Sequence, residues 1–135
     1  MRIVGMILAT FIASTYWASA VAQEKFTYNQ ICKAGIGMVM GRDAQIMIAG
    51  VHELEDGGGL VVSYLRADDD KLFLYKCRLF DDRIYWGNYD GRWRDDPADS
   101  VVTWFVDGDQ LVIENQFNDG SVVEETFTPS QLGQE

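Results

Sequence analysis

The chain has 135 residues, of which 47% are apolar and 24% are charged. These values are typical of a globular protein, so they exclude wholesale disorder and collagen-like sequence, and the length allows one domain. Eleven basic and 21 acidic residues give a formal net charge of −10, which disfavours binding to nucleic acid or to an anionic membrane.

The N-terminal segment has the pattern of a secretory signal peptide. After the basic Arg2, residues 3–23 carry no charge, and the small residues Ala20 and Ala22 fit a cleavage site. We expect residues 1–22 to be removed and residues 23–135 to form one α+β domain, exported to a periplasm or to the extracellular space. Loss of Arg2 leaves ten basic and 21 acidic residues, a net charge of −11. The alternative is a membrane anchor, because the uncharged stretch is long enough to span a bilayer.

Cys32 and Cys77 are the only cysteines of the chain. An even pair in an exported protein predicts a disulfide, here closing a ring of 46 residues. Metal ligation or redox chemistry would need a nearby second ligand or a Cys-x-x-Cys motif, and the sequence has neither. We therefore predict a structural disulfide, no metal site and no cofactor.

The segment that follows the leader has the signals of a helix start. Thr27 and Gln30 have the spacing of a capping box, and Phe26 and Ile31 occupy the two positions of a hydrophobic staple. The apolar spacing that follows is helical and places Cys32 on the buried side. Gly41 is typical of a helix end.

The rest of the chain alternates between short apolar runs and turn residues, which predicts β-strands joined by hairpins. The predicted strands are residues 45–54, 60–66, 72–80, 83–89, 101–106, 110–117 and 121–127. Sequential hairpins indicate an antiparallel meander. The predicted fold is therefore α+β and mostly β, with one N-terminal helix packed on about seven strands that form a bent sheet or a small barrel, and with one disulfide.

Two sequence features could suggest catalysis, but each has a simpler interpretation. The single histidine, His52, lies in a predicted strand with no nucleophile at a diagnostic spacing, so we interpret it as structural. The aspartate clusters fall in predicted turns, where Asp is favoured for backbone reasons, although paired carboxylates could also hydrolyse a glycosidic bond. We predict no catalytic residue and expect that the protein is not an enzyme.

The most distinctive stretch is residues 83–94, which holds four aromatic residues and three arginines in an otherwise acidic chain. Its last part leaves a predicted strand for a loop, which is the usual place for recognition. Aromatic faces suit sugars or apolar partners, and arginine suits carboxylates. The candidate binding residues are Tyr89, Arg92, Trp93 and Arg94, with Trp93 and the two arginines expected to be exposed. The alternative is that the arginines pair with neighbouring aspartates and Trp86 belongs to the core.

These observations predict an exported binding protein of the cell envelope or the extracellular space. Its acidity favours a cationic protein partner, which it would bind or inhibit. Small periplasmic inhibitors of lysozyme are similar in size, export and acidity, although no inhibitory motif of theirs is matched here. The alternative is a carrier of a sugar or of an apolar molecule, with a barrel interior or the aromatic stretch as its pocket.

Overall fold

The computed structural model describes residues 25–133, in which one α-helix precedes seven β-strands. Helix α1 spans Tyr28–Met40, and strands β1 to β7 span, in order, Ile48–Leu54, Gly57–Arg66, Lys71–Phe80, Arg83–Asn88, Val101–Asp107, Gln110–Gln116 and Val122–Phe127. Short 3₁₀ helices lie at Ala44–Ile46 and Pro129–Gln131. The predicted fold class is confirmed. The predicted signal peptide, residues 1–22, lies outside the described residues.

The ends of α1 are set by the residues that the sequence indicates. The backbone N–H of Gln30 donates to the Thr27 hydroxyl at 3.1 Å, and the Thr27 N–H donates to the Gln30 side chain at 2.9 Å. Gly41 then ends the helix in the left-handed conformation, at φ 66°. A side chain at Gly35 would come within 2.9 Å of Ile84, so this glycine lets α1 approach β4 closely.

All seven strands form one antiparallel sheet in sequence order. β4 and β5 share only two residue pairs, Arg83 with Thr103 and Ile84 with Val102. The sheet does not close, so β1 and β7 are its two edges and an open sheet, not a barrel, is observed.

One predicted turn is shorter than expected. Gly57 to Gly59 are not part of the turn but are the first residues of β2, where they pair with Leu54, Glu53 and His52. The chain reverses at Glu55 and Asp56 alone. A glycine run indicates a turn by composition, but strand pairing starts here as soon as the chain has reversed.

The core lies between α1 and one face of the sheet, and the disulfide links the two layers. Cys32 in α1 and Cys77 in β3 are fully buried and bonded, with their Cα atoms 6.1 Å apart, so the predicted disulfide is confirmed. Trp86 is partly buried and packs against this core. Because side chains alternate along a strand, the residues between the buried ones point to the opposite face, called the outer face below.

Candidate functional site: an acidic cleft beside Trp93

The loop of residues 89–100, which joins β4 to β5, begins by folding back over the outer face of the sheet. The backbone N–H of Arg94 donates to the carbonyl of Trp86 at 2.7 Å, and the N–H of Tyr89 donates to the carbonyl of Leu74 at 3.1 Å. The return needs a glycine at position 87, since a Cβ there would collide with the carbonyl oxygen of Arg92. The sheet therefore holds the start of this loop against its own surface.

Trp93 is the side chain by which the loop contacts the sheet. Its ring centroid lies 4.6 Å from the Lys76 ammonium and 4.6 Å from the Arg78 guanidinium, two outer-face cations of β3. Its indole N–H donates to the Asp56 carboxylate at 2.9 Å. Trp93 is half-buried, not fully exposed as the sequence suggests, because it packs against β3 and against the β1–β2 turn.

Asp56 connects the β1–β2 turn to this arrangement. Its carboxylate accepts from Arg78 at 3.0 Å as well as from Trp93. Both hydrogen bonds favour the charged form, so they lower the pKa of Asp56 below its usual value, with the Arg78 bond as the larger cause. The carboxylate is thus ionised at neutral pH and fixes one wall of the site.

Arg92 and Arg94 are both engaged within the loop. Arg92 donates two hydrogen bonds to the Asp99 carboxylate, at 2.8 and 2.9 Å, and lowers the pKa of Asp99 to about 2. The Arg94 guanidinium lies 3.9 Å from Asp99 and 5.5 Å from the centre of the Trp86 ring. Both arginines therefore lie against Asp99, an aspartate of their own loop, and both contribute to the shape of that loop.

Between the loop and the β1–β2 turn lies a cleft of about 690 Å³, called the acidic cleft below. Its lining residues are Leu54, Glu55, Asp56, Lys76, Tyr89, Asp90, Gly91, Arg92, Trp93, Asp95 and Asp96. Five of these carry carboxylates and two carry cations. Arg92 is paired with Asp99, and Lys76 keeps its charge while donating to the carbonyl of Gly91 at 2.6 Å. Because the lining carboxylates outnumber the lining cations, the cleft has an excess of negative charge.

A second, smaller pocket of about 400 Å³ shares Trp93 with the acidic cleft. Phe80 and Tyr85 provide two more aromatic side chains, and Phe80 is 67% exposed. Arg78, Asp56 and Asp95 supply its polar groups. Trp93 thus lies between a charged cleft and an aromatic pocket.

The structure brings together three of the four candidate binding residues. Tyr89, Arg92 and Trp93 line the acidic cleft, and the Tyr89 side chain is 45% exposed. Arg94 does not line the cleft and packs near Trp86 instead. Glu55, Asp56 and Lys76 were not predicted, because no local sequence signal connects the β1–β2 turn or β3 with a loop so distant along the chain.

His52 and the aspartates of the β2–β3 and β3–β4 turns do not join this site. His52 is exposed on β1, and Asp70 and Asp81 adopt positive φ angles in tight turns, at 57° and 54°. Within residues 25–133, no three histidine, cysteine or acidic side chains are placed to hold a metal ion. In the same range, no helix is long and apolar enough to cross a membrane.

Comparisons of the chain with protein-family models, with curated proteins and with solved structures give no match.

Proposed function

We propose that this protein is an exported, non-enzymatic binding protein that holds a cationic group of a partner protein in the acidic cleft. The observation that carries the proposal is the excess of carboxylates over cations around the cleft beside Trp93. The buried disulfide and the finding on membrane helices are compatible with export.

A lysine or arginine side chain of a partner suits this cleft chemically. Glu55, Asp90 and Asp95 can accept charge-assisted hydrogen bonds, which are stronger than neutral ones. The exposed ring of Tyr89 adds an aromatic surface against which the methylenes or the charge of such a side chain can pack. Because Trp93 and Asp56 already hold the loop in place, the loop loses little conformational entropy when a partner binds.

The charge of the whole chain supports the same partner. A mature net charge of −11 attracts cationic proteins from a distance and raises their association rate. Charges farther apart than about 8 Å are largely screened at physiological ionic strength, so we expect the association rate to fall as salt is added. An association rate indifferent to salt contradicts a cationic partner.

The test is capture of partners from the native envelope or secreted fraction at low salt, with two variants of equal charge. Asp90→Asn with Asp95→Asn removes two carboxylates from the acidic cleft, and Asp68→Asn with Asp70→Asn removes two from the distant β2–β3 turn. We expect a basic protein to be retained by the wild type and by the turn variant and to be lost by the cleft variant. Equal retention by both variants contradicts the proposal.

The second candidate function is binding of a small neutral ligand such as a sugar. The specific observation in its favour is the pocket in which Phe80, Tyr85 and Trp93 surround polar groups of Arg78 and Asp95. Aromatic faces with a few polar groups at the rim are typical of small-molecule sites. The sheet is open, so this surface pocket, not a barrel interior, would be the site of a carrier.

Titration with a panel of mono- and disaccharides, followed by the NMR signals of the protein, distinguishes the two functions. Shifts centred on Phe80 and Tyr85 that are lost in Phe80→Ala support a carrier. Because Phe80 is largely exposed, this variant is expected to change stability by no more than about 0.5 kcal/mol. No saccharide-dependent shift in this pocket contradicts the carrier function.

A further inference from the structure

The acidic cleft and the pocket beside Phe80 and Tyr85, called the aromatic pocket below, are neighbouring parts of one surface. They share three lining residues, Asp56, Trp93 and Asp95. Lys76 of β3 lines the acidic cleft, and Arg78, two residues further on the same face of the strand, lines the aromatic pocket. Two residues of a strand span about 7 Å, which is also the distance between side chains on one face of an extended peptide. A single extended segment can therefore reach both cavities.

The register of β3 with β4 brings the rings of the aromatic pocket together on the outer face. Tyr85 lies opposite Arg78, and Phe80, the last residue of β3, lies opposite Arg83. Phe80 and Tyr85 are therefore diagonal neighbours, at a separation that aromatic side chains can bridge. The Arg83 guanidinium lies 4.5 Å from the centre of the Tyr85 ring, whereas Phe80 remains 67% exposed. The Phe80 ring is thus apolar surface that a ligand can cover.

The polar groups of the aromatic pocket are largely bonded within the protein. Arg78 donates to the carbonyl of Gly58 at 2.9 Å and to the Asp56 carboxylate at 3.0 Å. The indole N–H of Trp93 donates to the same carboxylate. A sugar needs hydrogen-bonding partners for the hydroxyl groups that it buries, whereas an apolar side chain needs only the rings. The pocket therefore favours an aromatic or large aliphatic side chain.

We propose that the partner binds through an extended segment with two anchors. One anchor is a lysine or arginine in the acidic cleft. The other, two residues away in the segment, is an aromatic or large aliphatic side chain that covers Phe80 in the aromatic pocket. This inference rests on the proposed function of the acidic cleft, and Trp93 lies between the two anchors.

The second anchor gives a selectivity that charge alone does not supply. The net negative charge attracts every cationic protein, so it does not distinguish one basic partner from another. A basic side chain without an apolar neighbour leaves the Phe80 ring exposed to water and gains less on binding. The surface therefore recognises a pattern, a basic residue and an apolar residue on one face of an extended segment.

NMR titration with short peptides measures the contribution of the second anchor. The probes are the acetylated and amidated tripeptides Lys-Gly-Phe and Phe-Gly-Lys, which test both chain directions. Lys-Gly-Ala and Ala-Gly-Lys are the controls that keep only the cation. We expect at least one Phe peptide to bind about fivefold to tenfold more tightly than its Ala control. It should shift the backbone signals of Phe80 and Tyr85 as well as those of the acidic cleft.

Phe80→Ala removes the ring that the second anchor covers, so the Phe peptide and its Ala control should bind this variant equally. The matched control is Phe105→Ala, which removes another exposed phenylalanine, on β5, that lines neither cavity and should keep the full preference. If Phe peptides bind the cleft no more tightly than Ala controls, or if Phe80→Ala retains the preference, the second anchor is refuted while the proposed function stands. If no peptide gives a saturable shift in the cleft, both are refuted.

Discussion

Gly87 controls whether the loop can lie on the outer face, so Gly87→Ala should open the acidic cleft without replacing any residue that lines it. The new Cβ would collide with the carbonyl oxygen of Arg92, which is backbone and cannot rotate away. Forcing a carbon into such a contact costs about 1–3 kcal/mol. For a domain of this size that corresponds to a fall in Tm of roughly 4–12 °C.

The matched control is Gly50→Ala, which also adds a methyl group to the outer face. A Cβ at Gly50 meets nothing within 4 Å, so this variant is expected to be neutral within about 0.5 kcal/mol. Calorimetry gives the Tm of each variant, and NMR gives the indole N–H signal of Trp93, which should move in Gly87→Ala as its bond to Asp56 is lost. Equal Tm values and an unmoved Trp93 signal in the two variants refute the placement of the loop.

Three further predictions concern the disulfide, the acid range and the leader. Replacing both Cys32 and Cys77 by Ala should lower the free energy of unfolding by about 2–5 kcal/mol in urea titrations, and an unchanged midpoint contradicts the structural role of the bond. Arg66 and Arg92 hold the pKa values of Asp69 and Asp99 at about 2, so the stability these carboxylates add is full above about pH 4 and is lost as the pH falls toward 2. Asp99→Asn should therefore make acid unfolding, followed by circular dichroism, less steep, whereas an identical acid transition argues against the Arg92 pair. Mass spectrometry of the exported protein should find Gln23 as the first residue, and an intact Met1 in that fraction contradicts export by signal cleavage.

Much of the fold could be predicted because its signals are local. The capping box at Thr27 and Gln30 lies within one turn of helix, and the hairpin turns at residues 107–109 and 118–120 are defined by their own Asp, Asn and Gly residues. The disulfide could also be predicted from the sequence, because the helical and strand periodicities put Cys32 and Cys77 on buried faces. These features depend on neighbours a few residues away.

The closure of the sheet could not be predicted in this way. Whether seven strands form a barrel depends on strand tilt and register over the whole sheet, not on any one hairpin. Here β4 and β5 share only two residue pairs before the chain leaves for the long loop, and the two edges stay apart. The assignment of Gly57 to Gly59 to a turn was wrong for a related reason. These glycines are in a strand because they pair with β1, and that pairing cannot be seen in their own composition.

The candidate site was predicted in part. The density of aromatic residues and arginines pointed to Tyr89 and Trp93, which the structure places on the acidic cleft. Asp56 is 37 residues from Trp93 along the chain, and its hydrogen bond exists only because β2 and β3 align the turn with the loop. The same alignment places the Lys76 ammonium against the Trp93 ring. The part of the cleft that these residues form therefore depends on the register of the strands, which the local sequence does not show.

The most direct test of the central claim is an NMR titration of the protein with Nα-acetyl-lysinamide and Nα-acetyl-argininamide, with Nα-acetyl-norleucinamide as the uncharged control. The acidic cleft predicts saturable shifts of the backbone signals of Glu55, Tyr89, Asp90 and Asp95 with the two cations and not with norleucinamide. These shifts should disappear in the variant with Asp90→Asn and Asp95→Asn. Shifts of equal size in the acidic turns at residues 68–70 and 107–109, or no saturable shift in the cleft, would contradict a specific site for cationic groups.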